Sequence, residues 1–216
     1  MKIIQFIKTL NNTELGKGTT HETYILIPKK AEINDIFENE KINYKFICKN
    51  NNNNNNEINL RLRATAKRKE LRILGLGNYY RENKLNPGDS ILLEKIINNG
   101  ENKLYISHRK EENILFFQKV KNRLEIFNPE LINNYHNQTD AYNHLIKIEH
   151  VASEKKRTDS PTKTDFYEIM INNINVVDEF NDKEIGGITI FNNKLIILHP
   201  FVFEKHIIDT EVNIHE

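Results

Sequence analysis

Residues 61–72 read Arg-Leu-Arg-Ala-Thr-Ala-Lys-Arg-Lys-Glu-Leu-Arg, with six basic side chains and one acid. Cations at this density suit the neutralisation of phosphates. A forked guanidinium can also pair both acceptors on the major-groove edge of guanine. Arg61 and Arg63 alternate with Leu60, Leu62 and Ala64, so on a strand they point away from the core face. Thr65 continues the outward face, and Lys67, Arg68 and Lys69 then cap the following loop. A solvated hairpin tip would use the same residue types, so this stretch alone decides nothing.

A second polar stretch, residues 11–21, places Asn12, Lys17, Thr19, Thr20 and His21 around Gly16 and Gly18. Glycines let backbone amides approach phosphate, and Asn, Lys and Thr contact phosphates or base edges. The Gly-x-x-x-x-Gly-Lys-Ser/Thr spacing of a nucleotide-binding P-loop is absent.

Hydrolytic chemistry has a weaker footing. A metal-dependent PD-(D/E)xK nuclease needs an Asp followed by a strand-borne Glu-x-Lys to hold magnesium and orient water. Asp140 with Glu154-Lys155-Lys156 meets that spacing, but Glu154 is expected in a polar loop. Asp165 has no downstream Glu-x-Lys. His136 and His144 lack a close His-x-x-His pattern, and the single Cys48 excludes a disulfide framework or a cysteine zinc site. Tyr79 and Tyr80 could stack bases, but tyrosines on a helix beside a barrel are more often core. The expectation is no catalytic residue, no metal and no cofactor, with a degenerate metal-dependent endonuclease in the second half as the rival.

The elements that must position these residues are marked by period-2 alternation and turn chemistry. Strands are expected over residues 2–10, 23–27, 42–48, 58–65, 71–76, 90–97 and 103–108. Short helices are expected over 31–37 and 78–85, the second capped by Asn78. The Asn86-Pro87-Gly88-Asp89 turn and Asn98-Asn99-Gly100 punctuate the end of this half. Seven short strands in about 110 residues imply a closed or nearly closed antiparallel barrel, because open edges must be hidden. Further on, a hairpin spans 114–127, helices are expected at 130–135 and 141–145, and strands at 144–151 and 166–171. Asn192-Asn193 turns a final hairpin between residues 188–191 and 194–198.

The chain has 216 residues, 31 Lys+Arg, 30 Asp+Glu and a formal charge of +1. Residues 1–110 hold 20 Lys+Arg against 12 Asp+Glu, whereas 111–216 hold 11 against 18. The split suggests two modules, the first with a basic face able to meet a polyanion. With 33 Asn and 31 Ile, the composition is that of AT-rich coding, so the run of asparagines at 50–56 reads as a drifted surface loop. No apolar run reaches the roughly 20 residues that span a bilayer, and the start lacks a signal-peptide pattern. The expected setting is cytoplasmic, with no membrane.

The element order, the strand end Tyr24-Ile25-Leu26-Ile27-Pro28-Lys29, and the segment Leu76-Gly77-Asn78-Tyr79-Tyr80-Arg81 followed by Asn86-Pro87-Gly88-Asp89-Ser90-Ile91 resemble the B-three pseudobarrel. This fold occurs in plant transcription factors and in recognition domains of EcoRII-like restriction enzymes. The resemblance covers residues 1–109 and implies that loops 11–21 and 65–70 clamp a DNA major groove like a wrench. More narrowly, such a module followed by a second one resembles the N-terminal recognition region of McrB/LlaJI-type restriction proteins. The expectation is thus a mainly β protein with an α+β part. A seven-stranded open pseudobarrel with two short helices (1–109) precedes a smaller α+β accessory or interaction domain (110–216). The implied partners are double-stranded DNA and other subunits or domains of a restriction complex. The implied DNA-binding residues are Asn12, Lys17, Thr19, Thr20, His21, Arg61, Arg63, Thr65, Lys67, Arg68 and Lys69.

Overall fold

The structure, a computed structural model, describes residues 1–17, 21–29, 31–40, 42–49, 56–66, 70–155, 163–199 and 203–209. The first elements are β1 (Lys2–Thr9), β2 (Ile25–Ile27), β3 (Asn43–Cys48), β4 (Glu57–Ala64) and β5 (Leu71–Leu74). Then come α1 (Gly77–Glu82), β6 (Ser90–Asn98), β7 (Glu101–Arg109), β8 (Leu115–Val120), β9 (Arg123–Ile126) and α2 (Ile132–Tyr135). The rest are β10 (Ile146–Glu154), β11 (Thr164–Ile171), β12 (Ile174–Asn175), β13 (Ile185–Phe191), β14 (Lys194–Leu198) and β15 (Phe203–Asp209). The fold is mainly β.

Two compact units divide the chain: Met1–Lys110 with Phe201–Glu216, and Glu111–Pro200. In the first, eight strands run in the order β15-β1-β6-β7-β3-β4-β5-β2, a nearly closed, barrel-like sheet. All neighbours are antiparallel except β3 and β7, which pair in parallel at Ile47↔Tyr105 and Cys48↔Ile106. Strand alternation fills the interior. Ile4 and Phe6 on β1, Phe46 and Cys48 on β3, Leu60 and Leu62 on β4 and Ile73 on β5 are all buried.

Three features of this unit differ from the sequence reading. The eighth strand, β15, pairs along all of Lys2–Lys8 of β1, so it lies in the first sheet rather than with the segment before it. Phe203 packs on Phe6 with ring centroids 5.3 Å apart, and Lys205 meets Asp35 at 2.5 Å. The helix expected over 31–37 is a single turn in which Ile36 and Phe37 amides both donate to the Ile33 carbonyl. Its apolar spacing is nonetheless used: Ile33, Ile36 and Phe37 are buried, and Phe37 stacks on Phe46 at 5.7 Å. Helix α1 begins one residue earlier than expected, with Leu76 at the cap position. Asn78 instead accepts from the Arg81 guanidinium.

The second unit is a sheet ordered β10-β11-β9-β8-β13-β14, with β12 added on β11, around Leu115, Phe117, Leu124, Ile146, Ile169 and Ile188. A 3-10 turn (Pro129–Leu131) leads into α2 where a helix is expected. At 141–145 there is a turn rather than a helix. The Asp140 carboxylate takes the Tyr142 and His144 amides, each at 2.9 Å, and so closes the turn locally.

The asparagine surplus is put to work at hairpin turns. Asn99 with Gly100, Asn172 with Asn173, and Asn192 with Asn193 all sit at positive φ between paired strands. Asparagine tolerates that region better than other side-chain-bearing residues. Among the described residues no helix is long and apolar enough to cross a membrane.

Candidate nucleic-acid interface

Strand β4 carries the first set of cations as its alternation requires. Leu60 and Leu62 face the core, and Arg61 and Arg63 are exposed. Across the β4–β5 pair, Arg61 stands opposite Leu74 and Arg63 directly opposite Arg72. Residues directly opposite share a face, so Arg61, Arg63 and Arg72 form one cationic row, and like charges so placed repel. Arg72 is the compensated member. It meets Glu22 at 3.0 Å and Glu70 at 3.1 Å, and its guanidinium lies 4.0 Å from the Tyr24 ring centroid. Arg61 and Arg63 have no carboxylate partner among the described residues. The loop beyond β4 is closed at its neck, where the Thr65 amide donates to the Glu70 carbonyl (2.9 Å) and the Glu70 amide donates to Thr65 Oγ1 (3.1 Å). Thr65 thus shapes the loop. Lys67, Arg68 and Lys69 lie outside the described residues.

The first loop is built on a buried ion pair. Lys8 falls on the inward register of β1 after Ile4 and Phe6, and its ammonium meets Glu14 at 2.8 Å with both side chains almost fully buried. Glu14 also accepts the Leu26 amide at 2.8 Å and the Asn11 amide at 3.2 Å, while Asn11 Oδ1 accepts the Glu14 amide at 3.0 Å. That exchange has the reciprocal form of a capping box. One carboxylate thereby ties β1, the loop and β2 together. The Lys17 amide donates to the Asn12 carbonyl at 2.9 Å, and Leu15 bridges to Thr23. The Asn86–Asp89 turn supports the loop's start: the Leu10 amide donates to the Asp89 carbonyl and the Gly88 amide to the Leu10 carbonyl. Lys17 and His21 are exposed, and Thr19 and Thr20 lie outside the described residues.

Strands β2 and β5 link the bases of the two loops. Ile25 pairs with Ile73 and Ile27 with Leu71, so residues 22–24 run on past the Leu74 end of β5. Loop 65–70 leaves from the opposite end. Glu22, the residue after His21, reaches back to Arg72. Glu22, Arg63, Thr65 and Arg72 line one concavity of about 180 Å³ on the outer face of the β4–β5 ribbon. Segments about 40 positions apart in sequence therefore share one surface with Arg61 and Arg63 between them.

No family model and no curated protein match the sequence. Among solved structures, the chain is similar to the Arabidopsis FUS3–DNA complex at 18% identity, covering 49% of this chain and 96% of that one, with a TM-score of 0.36. At that level the interface stands on its own geometry.

The second unit holds the carboxylates considered for metal chemistry. Burial pushes the Asp140 carboxyl up. Four hydrogen bonds, from the His144 amide and ring and the Leu195 and Tyr142 amides, outweigh this and hold it well below the usual range. Glu154 ends β10 rather than lying in a loop, and the Arg123 fork grips it at 2.8 and 2.9 Å. His136 Nδ1 accepts the Ile148 amide at 3.0 Å. No group of three metal-ligating side chains occurs among the described residues. On the β10–β11 hairpin, Ser153 Oγ donates to Asp165 at 2.5 Å, and His150 Nε2 lies 3.0 Å from Ser153 Oγ and 3.4 Å from the same carboxylate. A nucleophilic triad needs serine and carboxylate on opposite ring nitrogens; here both share one, and the serine proton is given to the acid.

Proposed function

We propose that the first unit recognises a specific sequence in double-stranded DNA, gripping the major groove with loops 11–21 and 65–70. In this reading the chain serves a bacterial restriction–modification system as its recognition part, alongside other subunits or domains. One observation carries the DNA reading: the Glu22–Arg72 contact brings the end of the first loop onto the outer face of the ribbon that bears Arg61, Arg63 and the second loop. Cations there without carboxylate partners are free to neutralise phosphates. Arg61 and Arg63, fixed on a strand, are suited to phosphates. Lys17, Thr19, Thr20, His21, Lys67, Arg68 and Lys69 on the loops are suited to base edges as well. The restriction setting rests on the resemblance of the sequence motifs alone.

Selection from a randomised duplex library tests this directly. A single enriched motif is expected, and equal retention of all duplexes would refute sequence-specific recognition. Recognition without cleavage is favoured because Asp140 and Glu154 are each engaged in internal hydrogen bonds. Purified protein with magnesium or manganese should leave plasmid DNA intact. Cleavage abolished by Asp140→Ala or Glu154→Ala would establish the nuclease reading instead.

A further inference from the structure

Beside the base of the first loop lies an open cavity of about 650 Å³, walled by Lys17 and His21 on one side and by Tyr80, Arg81, Lys84 and Asn86 on the other. Its volume suits a nucleotide-sized group rather than a single small ion. Lys17, Arg81 and Lys84 are exposed, and none has a carboxylate partner among the described residues. Apart from Arg61 and Arg63, several cations of this unit do have one: Lys8 with Glu14, Lys49 with Glu94, Arg72 with Glu22 and Glu70, and Lys205 with Asp35. Two of the nearby acids are committed elsewhere, and the exposed Glu82 makes no ion pair with Arg81 or Lys84 among the described residues. Glu14 is taken by Lys8, and the buried Asp89 accepts the Asn86 amide at 2.7 Å. The floor of the cavity is packed against the barrel. Tyr80 is buried, Lys17 Nζ sits 3.4 Å from Asn86 Oδ1, and a Cβ on Gly77 would come within 2.9 Å of Thr23 Oγ1. Three cations without carboxylate partners lining one hollow carry an electrostatic cost that an anionic ligand would remove.

From this we infer that the cavity is a phosphate site, and that it seats the sugar–phosphate backbone of a DNA strand running past the first loop. The inference rests on the DNA reading and extends the contact surface to Arg81 and Lys84, on and just after α1. These contacts carry charge but no sequence information, so they set affinity and register and leave base preference untouched.

Two probes separate the sources of phosphate. Inorganic pyrophosphate, titrated at low salt and followed by amide NMR, should give saturable shifts at Gly16 and Gly77. The Arg81→Ala/Lys84→Ala double variant should weaken that binding by tenfold or more, the Arg81→Lys/Lys84→Arg variant should largely keep it, and Lys103→Ala should not alter it. With duplex DNA, the alanine double variant should bind every sequence more weakly and lower the slope of log affinity against log salt by about two units. Absence of saturable shifts at Gly16 and Gly77 in the wild type overturns the site. Pyrophosphate binding with an unchanged duplex salt slope overturns the backbone assignment and leaves a site for a free anion. A wild-type protein that binds no duplex overturns the DNA reading, and persistent pyrophosphate shifts would distinguish that failure from failure of the pocket.

Discussion

Glu14 is the residue on which the first loop depends. Its carboxylate accepts from Lys8, from the Leu26 amide and from the Asn11 amide in a space closed to water. Glu14→Ala strands a buried ammonium and two amides, and breaking a buried pair from one side costs about 3–5 kcal/mol. Urea unfolding should show that loss; a change under about 1 kcal/mol would mean the pair is not closed off as described. Asp140 offers a pH-dependent counterpart in the second unit. Its folded carboxyl titrates below the unfolded value of about 3.9, so its contribution is complete above that pH and is lost as pH falls through the folded value. The stability gap between wild type and Asp140→Asn should therefore be widest near neutrality and close on acidification. A gap that widens in acid would contradict the hydrogen-bonded carboxylate.

Among the elements, the end of β5 is held by backbone geometry. Gly75 has φ +104°, and a Cβ there would lie 2.3 Å from the Asn59 carbonyl oxygen. Gly100, at φ +82° in the β6–β7 turn, has nothing within 4 Å. Gly75→Ala should lower stability by at least about 1–3 kcal/mol from the strained φ, with the clash added. Gly100→Ala should pay the φ term alone. Equal urea midpoints for the two variants would show that β4 and β5 do not approach as closely as the structure has them. Much of this level could be read from sequence. Period-2 alternation placed Arg61 and Arg63 outside and Leu60 and Leu62 inside, and the Asn192-Asn193 turn follows from the conformational tolerance of asparagine. The 31–37 segment kept its apolar pattern but formed only one turn, because Ile33, Ile36 and Phe37 reach the core without a full helix. The Lys8–Glu14 pair has one mark in the sequence, a lysine on the inward register of β1. Arg81 and Lys84 carried none, since only tertiary packing brings α1 beside the first loop.

At the scale of the molecule, the first unit is assembled from both ends of the described chain. Pairing of β15 with β1 cannot be read from local pattern, because a closing strand more than 190 positions away leaves no periodic mark on its partner. A fragment of residues 1–110 loses β15 and Phe203 and leaves β1 as an open edge. It should unfold at lower urea than the same sheet in the full chain; an unchanged midpoint would show that β15 adds nothing. Titration of single-site variants against cognate and scrambled duplexes at several salt concentrations decides whether the two loops grip one groove. Arg61→Ala and Arg63→Ala should each weaken all sequences alike and lower the salt slope by about one unit. Arg68→Ala should cost about 1–3 kcal/mol on the cognate site only and relax one base position. The Lys17→Ala/His21→Ala double variant, on the other loop, should weaken binding as well. Full affinity in that double variant would contradict the two-loop grip.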